Sequence, residues 1–265
     1  MQRDVNPKKF LGQHFLIDDN ISKKIVEAIN FKKFKKVVEI GPGKGALTKH
    51  LLHIKDMLTL IEVDKESIEF LDSEFQEEKL NIIEADFLKF DIESTYPSEK
   101  DILIIGNFPY NISSQILVKI LRAIKWPTKI SNIILMFQKE LGHKIISKFP
   151  SKDYGRLSIL TNYRLKCTKK FYVSPNCFFP KPKITSIVIN LKPKLKRDFK
   201  IKKITNLEKV TNILFSNKRK MIKKNLKKLL SENSIKEISN LKLNLRPSNI
   251  EPNMYYKITE LYEKV

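Results

Sequence analysis

The chain of 265 residues has only two cysteines, Cys167 and Cys177, and neither lies near further metal-ligand residues at suitable spacing. This scarcity argues against a disulfide framework and against a zinc site, so both thiols are predicted to be reduced and structurally incidental. Long apolar runs are also missing, and residues 1–20 contain no apolar stretch of the signal-peptide type. A cytoplasmic protein with no membrane partner is therefore expected.

Acidic residues are scarce relative to basic ones, with 29 Asp and Glu against 51 Lys and Arg, a formal net charge of +22. Such a charge attracts polyanions and favours a nucleic-acid partner, although a lysine-rich genome is an alternative source. The placement of the charge favours the first explanation, because residues 192–228 hold fifteen basic side chains and two acidic ones. Lys218, Arg219 and Lys220 in this stretch are the predicted RNA-binding residues.

Short apolar runs alternate with helical patterns through the first part of the chain. Strands are predicted at 37–40, 58–63, 81–85, 101–105 and 133–137, and helices at 46–54, 67–75, 116–124 and 138–149. Repeated strand–helix units indicate an α/β fold with a parallel, doubly wound sheet. A charge-dense linker at 192–203 precedes mainly helical sequence, so the predicted domains are 1–195 and a small helical domain, 196–265.

A glycine-rich turn, Gly41-Pro42-Gly43-Lys44-Gly45, follows the first of these strands. Alternate glycines let the backbone pass close to a ligand, and Glu62, about twenty residues further on, can accept hydrogen bonds from ribose hydroxyls. Asp86, at another strand end, can bind an exocyclic amine, although a solvated aspartate is the alternative. The GxGxG spacing and the preceding Glu39 favour S-adenosyl-L-methionine over a nicotinamide dinucleotide.

The stretch Gly106-Asn107-Phe108-Pro109-Tyr110 ends a strongly apolar strand. Asn107 offers an amide oxygen, Pro109 fixes the backbone and Tyr110 supplies a flat face, which together suit a planar substrate that carries an amino group. An ordinary turn after a strand is the alternative. Further on, Phe178 stands in a proline-rich loop and is predicted to present its ring to a substrate base, with anchoring of the loop to the core as the alternative.

Seven motifs occur in order along the chain: Phe10-Leu11-Gly12-Gln13-His14-Phe15-Leu16, Glu39-Ile40-Gly41-Pro42-Gly43, Asn107-Phe108-Pro109-Tyr110-Asn111, Tyr154-Gly155-Arg156-Leu157-Ser158, the stretch 178–186, Asn217-Lys218-Arg219-Lys220 and Arg246-Pro247-Ser248-Asn249-Ile250. This ordered set resembles the KsgA/RsmA family of small-subunit ribosomal RNA adenine dimethyltransferases. The resemblance implies a Rossmann-like class I methyltransferase sheet with a small C-terminal helical domain. Family members often carry Asn at the position of His14 and Leu at that of Phe108.

The resemblance also implies the activity: two methyl groups are transferred from S-adenosyl-L-methionine to N6 of each of two adjacent adenosines near the 3′ end of small-subunit rRNA. The implied partner is an immature 30S-type subunit, and a monomer is expected. The implied cofactor-binding residues are His14, Leu16, Gly41, Gly43, Glu62, Asp86 and Asn107, and the catalytic residues are Asn107, Pro109, Tyr110 and Phe178. A large-subunit rRNA adenine methylase of the macrolide-resistance type and a non-catalytic assembly factor remain as alternatives.

Overall fold

A computed structural model describes residues 7–8, 12–196 and 198–264 of the chain. Phe10 and Leu11 of the N-terminal motif lie outside the described residues. The strands are β1 Phe15–Leu16, β2 Lys36–Ile40, β3 Leu58–Glu62, β4 Ile82–Glu84, β5 Ile102–Gly106, β6 Ile130–Gln138, β7 Leu165–Val173, β8 Phe178–Phe179 and β9 Ser186–Pro193. The helices are α1 Asp19–Glu27, α2 Thr48–Leu51, α3 Lys65–Glu74, α4 Ile92–Thr95, α5 Ser113–Ala123, α6 Lys139–Ile146, α7 Arg156–Arg164, α8 Ile204–Phe215, α9 Lys223–Leu226, α10 Glu232–Lys236 and α11 Pro252–Tyr262.

Seven of the strands form one twisted sheet in the order β4-β3-β2-β5-β6-β9-β7. Strands β2 to β6 are parallel to their neighbours, and β9 runs antiparallel to β6. Branched apolar side chains of β5 are buried on both faces of the sheet, as expected where helices cover both sides of a parallel sheet. The predicted α/β fold is therefore confirmed.

The structure differs from the sequence prediction in two places. The helix predicted at 46–54 is a short α-helix, α2, followed by a 3₁₀ helix at Leu52–Met57 with a kink at Ile54. Strand β7 was not predicted, because Lys166, Lys169 and Lys170 obscure its hydrophobic pattern. Asp18 caps α1, since its Oδ1 accepts a 3.1 Å hydrogen bond from the backbone N–H of Ile21.

The backbone divides into two compact units. Unit 1 comprises residues 1–142 and 168–193, and unit 2 comprises 143–167 and 194–265. Residues 143–167, which the sequence analysis places in the first domain, therefore group with the C-terminal helices. Throughout the described part of the chain, each helix is too short or too polar to cross a lipid bilayer.

Unit 2 is held together by tyrosines whose hydroxyls donate to backbone carbonyls. Tyr255 is fully buried and donates to Pro247 O at 2.6 Å, and Tyr256 donates to Ile159 O at 3.0 Å. Tyr154 donates to Ile250 O at 2.9 Å. Each of these side chains thus buries a large ring while its polar atom is satisfied.

Candidate active site

A cavity of about 320 Å³ lies in unit 1 at the carboxyl ends of β2, β3 and β5. This is the edge at which open α/β sheets bind their ligands. All seven residues predicted to bind the cofactor line the cavity: His14, Leu16, Gly41, Gly43, Glu62, Asp86 and Asn107. Pro109 lines it as well, whereas Tyr110 and Phe178 do not. Eight of the residues singled out from the sequence are therefore brought together in the wall of one cavity.

The glycine turn has the backbone conformation that its sequence requires. Gly41 and Gly43 have φ angles of +63° and +54°, which residues with a side chain rarely adopt. A Cβ atom on Gly43 would lie 3.0 Å from the ring of Phe15, so the N-terminal segment packs directly over the turn. Little space is therefore left beside Gly43, because the N-terminal segment around Phe15 and the glycine turn, which are distant in sequence, are in contact there.

Glu62 fixes the glycine turn to the end of β3. One carboxylate oxygen, Oε2, accepts from the backbone N–H of Gly43 at 3.1 Å, and the other, Oε1, accepts from those of Val63 and Asp64 at 2.8 and 3.0 Å. Burial raises the pKa of Glu62 above its ordinary value, and these three N–H donors partly offset that effect. A ligand that donates hydrogen bonds would stabilise the ionised form further.

Glu39 is a second buried carboxyl group in the cavity wall, and its side chain is only 1% exposed. Its Oε2 accepts a 2.9 Å hydrogen bond from the hydroxyl of Thr48. Burial raises the pKa of Glu39 to about 8, and the nearby charge of Glu62 acts in the same direction. Sequence reasoning used Glu39 only as part of a motif. The feature of the sequence that could have identified Glu39 as a site residue is its position as an acidic residue next to the apolar residues of a buried strand.

Asp86 and Asn107 approach the cavity from two different strand ends. Asp86 Oδ1 accepts a 2.9 Å hydrogen bond from the backbone N–H of Leu88, which holds the carboxylate in place. Asn107 directly follows β5, and the next residue, Phe108, is buried with its ring edge-on to Phe137 at 6.2 Å between centroids. Phe108 therefore anchors the loop that carries Asn107.

Tyr110 is held beside the cavity by two contacts. Its hydroxyl oxygen lies 2.6 Å from the hydroxyl oxygen of Ser186, and its ring stacks on that of His14 at 5.5 Å between centroids. His14 Nδ1 in turn lies 2.6 Å from the carbonyl oxygen of Pro180. Burial raises the pKa of Tyr110, so the phenol is neutral at physiological pH.

The packing of Phe178 differs from the sequence prediction. Its side chain is 3% exposed and belongs to the hydrophobic core of unit 1, whereas Phe179 is 58% exposed. Strand β8 pairs with β1, and Leu16 lies opposite Phe178. Since alternate residues of a strand face opposite sides, this pairing turns Phe178 inward and Phe179 outward. The ring of Phe178 is thus an anchor of the loop in this structure.

The predicted RNA-binding residues Lys218, Arg219 and Lys220 lie in unit 2, between α8 and α9, and all three are exposed. Phe87, next to Asp86, and Asn111, the last residue of the Asn107 motif, also line the cavity. Among the described residues, His, Cys, Asp and Glu side chains form no group of three suited to a metal ion.

The cavity fits S-adenosyl-L-methionine by its hydrogen-bond acceptors and its charge. Three carboxyl groups, those of Glu39, Glu62 and Asp86, line it together with mainly apolar side chains. A sulfonium and an ammonium group would compensate buried negative charge, and the ribose hydroxyls and adenine amine would donate to carboxylate oxygens. The narrow glycine turn permits a close backbone approach.

Comparisons with known proteins agree with this chemistry. The profile of the family described as ribosomal RNA adenine dimethylase matches residues 5–264. The chain is 41% identical over 261 residues to the ribosomal RNA small subunit methyltransferase A of Pelagibacter ubique, covering 98% of both chains. It is also 41% identical to the protein of that name from Malacoplasma penetrans, covering 94% of this chain and 89% of the relative.

Two solved structures share the fold over almost the whole chain. A dimethyladenosine transferase from Plasmodium falciparum superposes with a TM-score of 0.71 at 24% identity, covering 95% of this chain and 98% of the other. The 23S rRNA methyltransferase ErmE superposes with a TM-score of 0.68 at 21% identity, covering 94% and 99%. With its family profile, its relatives and its cavity in agreement, the chain belongs to the ribosomal RNA adenine dimethylase family and uses S-adenosyl-L-methionine as its methyl donor.

Proposed function

We propose that this protein dimethylates N6 of two adjacent adenosines in the 3′-terminal loop of small-subunit rRNA. The observation that carries the proposal is the position of Asn107, which follows β5 and shares one cavity wall with Glu62 and Asp86. The reaction takes place in the cytoplasm on an immature 30S-type subunit, and the enzyme acts as a monomer. The 41% identity to small-subunit methyltransferases over nearly the whole chain supports this choice of substrate.

The residues that hold the methyl donor follow from their chemistry. Glu62 would accept hydrogen bonds from the ribose hydroxyls, and Asp86 would accept one from the adenine amine. His14, Leu16, Gly41 and Gly43 would enclose the remainder of the molecule. When bound, S-adenosyl-L-methionine supplies an electrophilic methyl group on a sulfonium centre.

Asn107 orients the nucleophile in this proposal. The lone pair of an adenine amino group is delocalised into the ring, so the nitrogen is a weak nucleophile in its planar form. A hydrogen bond from the amino group to the Asn107 amide oxygen would favour a more tetrahedral nitrogen whose lone pair is aimed at the methyl group. Alignment in a site that excludes water then supplies most of the acceleration, without a strong general base.

Pro109 and Tyr110 complete the base-binding loop. Pro109 limits the backbone freedom next to Asn107, and the Tyr110 ring provides a flat surface for an extruded base. Such a stack contributes on the order of 1–3 kcal/mol per base. The contacts of Tyr110 with Ser186 and His14 support this role, because a platform held on two sides loses little entropy when a base binds.

Two alternatives are weaker. A large-subunit methylase is compatible with the fold shared with ErmE, but at 21% identity that likeness concerns the fold alone. A non-catalytic assembly factor would have no need of the acidic cavity and of Asn107, all of which are present.

The decisive experiment incubates the protein with labelled S-adenosyl-L-methionine and small subunits from cells that lack this modification. N6,N6-dimethyladenosine at two adjacent positions of the 3′-terminal loop is the expected product, mapped by mass spectrometry of RNA fragments. Methylation confined to large-subunit RNA would replace this proposal with the first alternative. Binding to small subunits without any methyl transfer would favour the second.

A further inference from the structure

A group of basic and aromatic side chains on unit 1 lies outside the cavity. We call it the Tyr172 surface, and it consists of Lys139, Lys169, Lys170 and Tyr172. Tyr172, on the edge strand β7, is 41% exposed. The ammonium group of Lys169 lies 4.6 Å from the centroid of its ring, and that of Lys139 lies 5.4 Å from it. One tyrosine thus holds two lysines from two different elements.

The lysines of this surface differ from others of unit 1 in their neighbours. Within the described residues, none of the three forms an ion pair with a carboxylate. Other lysines of unit 1 do, for example Lys55 with Glu78 at 2.7 Å. A carboxylate partner cancels the charge of an ammonium group, whereas an aromatic ring attracts the group without cancelling it. The Tyr172 surface is therefore arranged to hold positive charge in place rather than to neutralise it.

The sequence around β7 points in the same direction. Residues 154–197 contain eleven Lys and Arg and no Asp or Glu. A stretch of 44 residues without any acidic side chain is notable because the whole chain carries 29 of them. Residues 168–193 of this stretch belong to unit 1, so unit 1 contains basic side chains in a part of the sequence that has no acidic ones.

The Tyr172 surface lies along the same sheet edge as the base-binding loop. Lys139 directly follows β6, and its backbone N–H donates to the carbonyl oxygen of Thr185 at 2.9 Å. The next residue, Ser186, begins β9 and contacts the hydroxyl of Tyr110. Within unit 1, Tyr110 is therefore connected to Tyr172 through consecutive contacts: Tyr110 contacts Ser186, the neighbouring Thr185 binds the backbone of Lys139, and Lys139 lies over the Tyr172 ring.

From this placement we infer that the Tyr172 surface binds the phosphate backbone of the rRNA strand that flanks the target adenosines. Lys139 and Lys169, held over the Tyr172 ring, contact phosphates, and Lys170 adds a third charge next to them. An extruded base can occupy the cavity only if the strand on at least one side of it follows the protein surface, and this surface has the required charge. The inference rests on the proposed rRNA substrate and adds a binding site on the catalytic unit.

The test measures RNA affinity of the full-length protein over a range of salt concentrations, with the 3′-terminal small-subunit rRNA hairpin and its single-stranded flanks as the probe. We expect the double variant Lys139→Gln/Lys169→Gln to bind more weakly. The salt slope, meaning the steepness with which the logarithm of the affinity falls with the logarithm of the salt concentration, should decrease by about 1.4, or about 0.7 for each lost phosphate contact. The matched control is Lys32→Gln/Lys33→Gln, which removes two exposed charges elsewhere on unit 1 and should leave the slope close to that of the wild type.

The ring itself is tested separately. Tyr172→Leu should raise the KM for immature small subunits several-fold without changing S-adenosyl-L-methionine binding, and Tyr172→Phe should restore the wild-type KM because it keeps the aromatic face. An unchanged slope in the lysine variant, or equal KM values for Tyr172→Leu and the wild type, would overturn the inference. Failure of the wild type to methylate small subunits would overturn the proposed function instead, and the salt slopes would still report on this surface.

Discussion

The hydroxyl group of Tyr110 lies 2.6 Å from that of Ser186, a residue 76 positions later in the chain. Ser186 is completely buried at the start of β9, so its hydroxyl has a fixed position. The contact joins the loop after β5 to the antiparallel strand of the sheet. If the Tyr110 ring stacks on the substrate base, as proposed, Ser186 is a positioning residue for that base.

Replacement of Ser186 by Ala should therefore lower kcat by about two- to ten-fold, the range expected for loss of one buried hydrogen bond. The affinity for S-adenosyl-L-methionine should remain unchanged. Ser186→Thr keeps the hydroxyl and should recover part of the activity.

A second measurement follows from the Ser186 hydrogen bond, which lowers the pKa of Tyr110 against the effect of burial. An ultraviolet titration should show a higher Tyr110 pKa in Ser186→Ala, and an unchanged pKa together with unchanged kcat would contradict the assignment.

Loss of the Asn107 side chain should affect turnover far more than cofactor binding. Asn107→Ala removes the acceptor that orients the adenine amine, and we expect kcat to fall by about 10²-fold or more. Single-turnover methylation gives the rate, and calorimetry gives the affinity for S-adenosyl-L-methionine. Asn176→Ala changes an exposed asparagine and serves as the control. A parallel fall in cofactor affinity would show that Asn107 serves mainly to bind the methyl donor.

The buried carboxyl group of Glu39 should make the stability of the protein depend on pH. Folding raises its pKa from 4.5 to about 8, so between these values the folded protein holds a proton that the unfolded chain releases. The contribution of Glu39 to stability is therefore fully present below pH 4.5 and is lost as the pH rises towards 8.

Glu39→Gln keeps an acceptor for Thr48 but cannot ionise. Its free energy of unfolding should consequently increase relative to the wild type as the pH rises, by at most about 1.4 kcal/mol per pH unit. Urea unfolding at pH 5, 6, 7 and 8 measures this difference. Glu27→Gln, at an exposed position of α1, should show no comparable trend. A constant difference between Glu39→Gln and the wild type would mean that the buried carboxyl is already ionised at pH 5.

The exposed residues Lys218, Arg219 and Lys220 of unit 2 should contribute to RNA affinity through charge alone. Replacing all three with Gln is expected to weaken binding to small-subunit rRNA and to reduce its salt dependence, with S-adenosyl-L-methionine binding intact. Filter binding at several salt concentrations provides the slope. If the salt dependence of binding equals that of the wild type, these residues do not contact the RNA.

Local patterns in the sequence were sufficient to predict the parallel sheet and eight residues of the cavity wall. Each βα unit is short, and Gly41, Glu62 and Asp86 stand directly at strand ends, where the topology brings them together. The inward direction of the Phe178 ring was not predicted, because it depends on pairing between β8 and β1, which are far apart in sequence. The Tyr110–Ser186 contact and the burial of Glu39 likewise depend on long-range packing, which no local pattern records.

The ion-paired and unpaired lysines also give unit 1 an uneven distribution of charge along its sheet. Lys55 and Lys65 are neutralised by Glu78 and Glu84 near β4, at one end of the strand order, whereas the lysines around Tyr172 at β7 have no such partners among the described residues. A polyanion that approaches to within about one Debye length, roughly 8 Å at physiological salt, would be attracted unequally by the two ends of this sheet. Its pull on unit 1 would be strongest at the β7 edge, before any atom of the two touches.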